Sequence, residues 1–553
     1  MISRCLPPVY ALALSLIVTA PLLPPGYLLL RDAVSTPRSY LSDAALGLSE
    51  TAPRALPQDF ALALASHVLD GGVAVKALLV TGLWLAGWGA ARLAATVVPD
   101  AGVAGQCVAV TVAVWNPYVA ERLLQGHWSL LVGYGCLPWV AAAVVRLRDG
   151  SGGWWPLPFW TALAGLTPTG LLLAALVAVV SVCVPGEGRR RVPVLGMAAG
   201  AAAVCALPWL LAAAVSGSLA VSPAAGLPEF AARAEPGLGT LGSLAGLGGI
   251  WNADAVPASR TTLFAAVATA VLLVVVLAGV AVVRRQAAAL PLLILAATAV
   301  VLPAVMATEP GLAALEHTVR ALPGLGVLRD GQKWVALALP GYAVAGAGAV
   351  LAVRRVPPVA LGAVCCAALI AVLPDLAFGV GGQMRAVQYP PGWAAAAAVV
   401  NADPRPVAVL PPDSMRQFDW AGEAPVLDPL PRWVRADVLS TGDLVIGGTT
   451  VPGEGVRARE LQALVTRGAP VSELSDAGVG WVVVESGGSV LDLPVAYRDD
   501  DLAVYRVGGD RPGSPDRGLL IWAHAAWLAV LFGSLAAGVL GVRSRNRVDA
   551  RLT

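Results

Sequence analysis

Apolar runs of up to about 25 residues recur along the chain with short polar turns between them, and a run of about 20 is what a helix needs to cross a bilayer. The pattern predicts helical crossings over 9–30, 72–96, 105–120, 128–145, 153–167, 169–185, 192–216, 261–283, 287–307, 334–353, 358–380 and 518–542. The fifth and sixth runs are short and joined by Thr167-Pro168-Thr169-Gly170, so they are read either as crossings or as a re-entrant pair, which sets the count at ten to twelve. Between the last two runs the pattern changes. Residues 381–516 alternate β-like runs (PVAVLPP at 406–412, WVVVES at 481–486, LAVYRV at 502–507) with helical stretches (GWAAAAAVV at 392–400, VRARELQALVTRG at 456–468). That alternation predicts a small α/β domain, and about 135 residues suffice to bury a core. The expected organisation is a polytopic α-helical bundle over 1–380 with polar loops at 31–71, 217–260 and 308–333. The α/β domain over 381–516 follows, then a last helix and basic tail over 517–553.

Composition agrees with a membrane protein: 57% of residues are hydrophobic and 13% charged, and the mean hydropathy is +0.73. A single soluble core is excluded. The net charge of +2 hides an asymmetry, because the arginines fall in short clusters between spans. If such loops face the cytoplasm, then Arg4, Arg146 and Arg148, Arg189 to Arg191, Arg284 and Arg285, Arg354 and Arg355, and the tail beginning at Arg543 lie inside. Both termini are then cytoplasmic and 381–516 is extracytoplasmic. The run from Pro8 to Leu30 carries Pro21, Pro24 and Pro25 and no A-x-A site, so it is read as a retained first span. The seven cysteines lie within spans or, for Cys5, at the cytoplasmic start, so neither disulfides nor a Cys-based metal site is expected. The four histidines show no H-x-x-x-H spacing, and there is no G-x-S-x-G or Walker sequence. No nucleic-acid partner is expected. The Ala/Val/Gly/Arg-rich, Lys-poor composition suits a high-GC actinobacterium.

Three polar clusters gather at the extracytoplasmic ends of the runs. WNPYVAERLLQGHW, residues 115–128, places Asn116, Glu121, Arg122, Gln125 and His127 between two apolar runs. Charge is costly in hydrocarbon, so these residues are expected to face the outer mouth of the bundle; the plainer alternative is an aromatic belt with Glu121 and Arg122 solvated or paired. ALPGLGVLRDGQKW, residues 321–334, brings Arg329, Asp330, Gln332 and Lys333 to the same side. Arg329 and Lys333 are the two fixed cations a lipid phosphate needs, although Lys333 and Trp334 could instead anchor a helix end. The first loop opens with LLLRDAV, where Asp32 is the first carboxylate out of the membrane, beside Arg31, and is placed to act as a general base. Later in that loop, DFALALASHVL reads as an interfacial helix. The Gly- and Pro-rich loop 226–260 is expected to cover the mouth, with Trp251, Asn252 and Asp254 nearest the cavity.

In their order, RDAV after the first span, the NPYVAERLLQGHW turn, the LRDGQKW entry and a late extracytoplasmic domain resemble the GT-C superfamily of polyprenyl-phosphate-sugar-dependent glycosyltransferases. The similarity is to the actinobacterial mannosyl- and arabinofuranosyltransferase type and to membrane proteins that glycosylate teichoic acids. It implies an inverting transfer from a polyprenyl-phosphate-linked sugar to a cell-envelope glycan or lipid acceptor. Asp32 would be catalytic; Arg329 and Lys333 would bind the lipid phosphate; Arg31, Asn116, Glu121, Arg122, His127, Trp251, Asn252 and Asp254 would bind substrate. The first loop has no adjacent Asp-Asp or D-x-D pair, and a divalent metal is left open. Two other classes stay in play: a transporter of a lipid-linked precursor, for which Asp375 and the breaks at Pro117 and Pro168 would line a path, and a non-catalytic scaffold built on 381–516.

Overall fold

The computed structural model describes residues 2–217, 226–446, 448–485, 490–511 and 513–552. Among them, seven helices are long and apolar enough to cross a membrane: Arg4–Leu22, Gly71–Val97, Pro99–Leu124, Trp128–Arg148, Arg191–Ser216, Phe264–Val283 and Arg517–Gly541. Counting each of two bent pairs as one broken span makes the number nine: Leu290–Met306 with Glu309–Ala321, bent by 92°, and Pro358–Ala371 with Pro374–Gly381, bent by 74°. The chain is a multi-pass membrane protein, with fewer clear spans than the sequence pattern predicts.

The shortfall has local causes. Residues 153–185 form helices of only 9 and 14 residues, Pro156–Ala164 and Pro168–Ser181. At about 1.5 Å per residue, the first covers less than half of the hydrocarbon thickness. The break is set by Thr167, whose side chain caps the Gly170 N–H, and by Pro168 in the first turn. The expected crossing over 334–353 is likewise divided into a 3-10 stretch, Gly331–Ala338, and an 11-residue helix, Leu339–Ala349, entered through Pro340.

Small residues set the centre of the bundle. A Cβ on Gly82 would lie 2.9 Å from Val132 Cα, and one on Gly135 would lie 2.2 Å from the Gly82 carbonyl oxygen. Helices Gly71–Val97 and Trp128–Arg148 therefore touch backbone to backbone, the close approach that small residues permit in membranes. Nearly every residue of Trp128–Arg148 is buried.

The late sheet runs in the order Val495–Arg498, Leu502–Arg506, Trp481–Glu485, Val407–Leu410, Val438–Leu439. Trp481–Glu485 is parallel to Val407–Leu410 and antiparallel to Leu502–Arg506. Its alternate residues enter two cores: Val483 joins Trp393 and Val400 on one face, and Val482 and Val484 join Leu461 and Val465 on the other.

This sheet region is joined to the first polar loop. Strand Tyr27–Leu30 pairs with both Ala33–Val34 and Ala386–Val387. Ion pairs link Asp59 to Arg432 at 3.2 Å, Arg54 to Glu454 and Asp43 to Arg517, and Glu50 accepts from the Arg457 N–H at 3.1 Å. Within DFALALASHVL the helix is Gln58–Ala65, and its Phe60 ring lies 4.3 Å from the His524 ring of the last span. That helix buries Phe60, Leu62 and Ala63 against protein and leaves Leu64 exposed.

Candidate functional site

Asn116 starts the arrangement. Its Oδ1 accepts from the Val119 N–H at 3.0 Å, and its Nδ2 donates to the Val112 carbonyl at 2.9 Å and to the Tyr134 hydroxyl at 3.1 Å. It is a buried helix cap with both ends of its amide occupied, which corrects its assignment to substrate. The helix it begins, Pro117–Leu124, carries Glu121 and Arg122, and both are fully buried.

Their burial is balanced from distant segments. Arg122 grips Asp330 with two parallel bonds of 2.8 and 3.0 Å and also donates to Gln332 Oε1. Glu121 accepts from the Gly249 and Ile250 N–H groups, both at 3.1 Å, and from Gln332 Nε2 at 3.0 Å. Arg260 and Glu235 form a second buried pair, with Nε to Oε1 at 2.9 Å. Glu121 and Arg122 therefore do not face the mouth of the bundle as the sequence pattern predicts. They form a layer behind it, because each meets its complement inside the protein.

Arg31 is also tied to the backbone. Its guanidinium is buried and donates to the carbonyls of Leu124 at 2.7 Å and Asp254 at 2.6 Å. Its backbone lies at φ 48°, with its N–H on the Pro425 carbonyl and its own carbonyl accepting from the Leu427 N–H, each at 2.8 Å. Arg31 joins four segments, with Nη1 and Nη2 each engaged by a backbone carbonyl. Asp254 contributes its carbonyl, while its side chain is exposed. Gly126, at φ 84°, closes the turn against this strand: a Cβ there would lie 2.2 Å from the Ala33 nitrogen.

What remains in front is Asp32, whose side chain is 38% exposed. Its Oδ2 accepts from His127 Nε2 at 2.9 Å and Gln125 Nε2 at 3.1 Å. No described donor within hydrogen-bonding distance is assigned to Oδ1. His127 Nδ1 lies 3.1 Å from Arg122 Nη1, an obligate donor, so Nδ1 accepts and the imidazole proton sits on Nε2, pointing at Asp32. Gln125 Oε1 accepts from Asn252 Nδ2 at 2.8 Å, which fixes the direction of the Gln125 amide.

The cations come from 329–333. Lys333 Nζ stands 3.7 Å from Asp330 Oδ2, and the Arg329 guanidinium stacks 4.2 Å above the Phe230 ring, itself edge-on to Trp251 at 4.7 Å. Burial disfavours ionisation of Asp32, but the His127 and Gln125 hydrogen bonds and the Lys333 charge outweigh it and hold its pKa below the usual carboxylate range. Burial likewise opposes Asp330, and Arg122 and Lys333 more than reverse that. Burial lowers the pKa of His127 and, with Arg54 nearby, pulls Arg329 down to about 10.

The geometry thus brings Asp32, His127 and Asn252 into one hydrogen-bonded group, with the charges of Lys333 and Arg329 bearing on it and Trp251 beside Phe230 under Arg329. Gln125, Asp330, Gln332 and Phe230 belong to the same assembly, and Glu235 and Arg260 back it; the sequence pattern puts Gln125, Asp330 and Gln332 in the polar clusters without a role and does not single out the other three. Asp375 accepts from the Ser259 N–H and hydroxyl, both at 2.7 Å, and so ties down the end of the covering loop. Among the described residues no group of three or more His, Cys, Asp or Glu side chains is arranged to hold a metal ion. Asp32 and His127 supply only two, and both His127 nitrogens are occupied, so the described side chains form no closed ligand set of the kind a structural zinc site needs.

No family model and no curated protein matches the chain. Two cryo-EM structures of arabinofuranosyltransferase AftD from Mycobacteria, two classes of one mutant, share its fold. The first has a TM-score of 0.55 and 17% identity, over 91% of this chain and 41% of that one. The second has a TM-score of 0.53 and 15% identity, over 92% and 42%. The chain spans about two fifths of the length of these neighbours, and at this identity the likeness is one of fold.

Proposed function

We propose that this chain is a membrane glycosyltransferase that moves a sugar from a polyprenyl-phosphate carrier to a cell-envelope glycan or lipid acceptor, with Asp32 as the general base. The observation that carries the reading is the setting of that carboxylate: partly exposed, with one oxygen anchored by His127 and Gln125, no described donor assigned to the other, and the charge of Lys333, some 300 residues away in sequence, bearing on it. The fold shared with AftD raises the prior for sugar transfer without assigning it. In the reaction, Asp32 Oδ1 takes the proton of the acceptor hydroxyl as its oxygen attacks the anomeric carbon. The bond from that carbon to the phosphate oxygen breaks on the opposite side, the configuration inverts, and the lipid phosphate departs with its negative charge held by Arg329 and Lys333. Asn252 and Trp251 would border the sugar, and the arginine distribution supports an extracytoplasmic site.

The transporter reading needs a path continuing inward from Asp32. Behind Asp32 and His127 lie Glu121, Arg122 and Asp330, buried and paired, and Asp375 is occupied by Ser259. These observations favour a closed reaction site.

The test uses the purified full chain in detergent, a series of polyprenyl-phosphate sugars and an envelope-glycan acceptor extract. Wild type should transfer at least one sugar, and Asp32→Asn should lower the rate by about 10² to 10⁴. Equal rates for the two would remove Asp32 as the base. If neither transfers and the protein instead moves a lipid-linked sugar across liposomes, the transporter reading replaces this one.

A further inference from the structure

We propose that His127 is a positioning residue for Asp32, locked by Arg122 as the neutral Nε2–H tautomer so that Asp32 is anchored through Oδ2 and presents Oδ1 to the acceptor. The kinetic part of this inference rests on the transferase reading; the tautomer itself does not.

The lock follows from donor and acceptor counting. Arginine has five N–H donors and no acceptor, so the 3.1 Å contact from Arg122 Nη1 requires a lone pair on His127 Nδ1. Arg122 cannot turn away, because its other bonds run to both oxygens of Asp330 and to Gln332, and its side chain is 0% exposed. The proton is therefore left on Nε2, 2.9 Å from Asp32 Oδ2. The backbone holds the ring as well: the His127 N–H donates to the Arg122 carbonyl at 2.8 Å.

The same counting separates His127 from the base itself. A base needs a lone pair open to the substrate, and the one lone pair of His127 faces Arg122. A second proton would have to enter at Nδ1, between the ring and a fixed cation. The charged groups around the imidazole are Arg122 from its own turn, Asp32 from the first loop, and Lys333 and Asp330 from 329–333. Arg122 and Lys333 oppose the imidazolium and Asp32 favours it; Asp330 is already engaged by Arg122. The Asp32 carboxylate has another donor in Gln125, but that amide leans on Asn252 of the covering loop. His127 is the anchor built into the bundle, and Gln125 couples the same oxygen to the loop.

A glutamine places its amide nitrogen about where a histidine carries Nε2, whereas an asparagine reaches only as far as Nδ1. His127→Gln should therefore keep the donor to Asp32, and His127→Asn and His127→Ala should lose it. Misplacement of a reacting group by about 1 Å costs on the order of 10²-fold. The expected result is a fall of about that size in kcat for His127→Ala and His127→Asn with KM little changed, and for His127→Gln a rate within about tenfold of wild type. If His127→Gln is as inactive as His127→Ala and the acid limb near neutral pH disappears in both, His127 is the base and the positioning role is wrong. An unchanged kcat in His127→Ala also overturns it. The arm independent of transfer is nitrogen NMR of the full chain in micelles with labelled histidine, where only four rings contribute and His127→Gln assigns the signal. A single Nε2–H tautomer from pH 6 to 8 is expected; a protonated Nδ1 in that range overturns the lock. If wild type transfers no sugar, the transferase reading fails by itself and the NMR result still decides the tautomer.

Discussion

Replacing Arg31 separates two contributions that the structure superimposes. In Arg31→Ala the guanidinium bonds to the Leu124 and Asp254 carbonyls are lost. Hydrogen bonds to a charged group contribute about 1.5–3 kcal/mol each, so the pair amounts to roughly 3–6 kcal/mol before water refills part of the space. The backbone strain at φ 48° stays, because alanine resists the left-handed region as arginine does. In Arg31→Gly the same bonds are lost, but the strain of about 1–2 kcal/mol is relieved. Against this, the glycine adds about 0.4–1 kcal/mol of freedom to the unfolded chain. Glycine should therefore come out about 0.5–1 kcal/mol more stable than alanine, the reverse of their order in an ordinary helix or strand. The assay is hydrogen exchange in detergent at the Leu427 N–H, which donates to the Arg31 carbonyl at 2.8 Å. Exchange should quicken in both variants and more in Arg31→Ala, by a factor of about 2 to 5 over Arg31→Gly, since 1.4 kcal/mol is tenfold. Protection of Leu427 equal to wild type in Arg31→Ala, or lower in the glycine variant than in the alanine one, would refute the account of Arg31 as a strained joint between segments.

Three further outcomes are expected from two variants. Asp330→Asn leaves Arg122 buried without its counter-ion and should cost about 3–5 kcal/mol in an unfolding assay. Because the folded pKa of Asp330 is depressed, its contribution is complete above the ordinary carboxylate range and is lost as pH falls through the folded value, so the variant should lose less stability than wild type on acidification. Lys333→Ala should raise KM for the lipid-phosphate donor more than it lowers kcat; unchanged donor KM would take Lys333 out of phosphate binding.

Much of the fold was legible because apolar run length and β alternation are local signals. Val482, Val483 and Val484 point to alternating cores, as a strand requires. The short helices at 156–181 were less legible, since Thr167-Pro168 ends one apolar run and begins another without changing mean hydropathy. At the site, the three stretches carrying Asp32, His127 and Lys333 were visible as polar interruptions of apolar sequence. Which of their members face solvent was not. Arg122 pairs with a residue 208 positions away and Glu121 with backbone 128 positions away, and no spacing rule within either stretch encodes those partners. Arg260 ends the covering loop 226–260, and only the folded chain brings Glu235 to it.

The division into two layers follows from which residues find complements. Arg122 reaches Asp330, and Glu121 reaches Gln332 and two N–H groups, so both can be buried without leaving charge unpaired. Asp32 has two donors on one oxygen, no described donor assigned to the other and no described arginine or lysine within ion-pair distance, so its charge is held but not cancelled. A carboxylate in that state accepts a proton more readily than one gripped by arginine, such as Asp330. Sequence proximity to a span end cannot make this distinction between Asp32 and Asp330, since both follow an arginine directly, at Arg31 and Arg329. The distinction lies in the direction of the preceding arginine: Arg31 turns its guanidinium to carbonyls and Arg329 to the Phe230 ring, so neither pairs with its neighbour, and the assignment of base and counter-ion is made instead by Arg122.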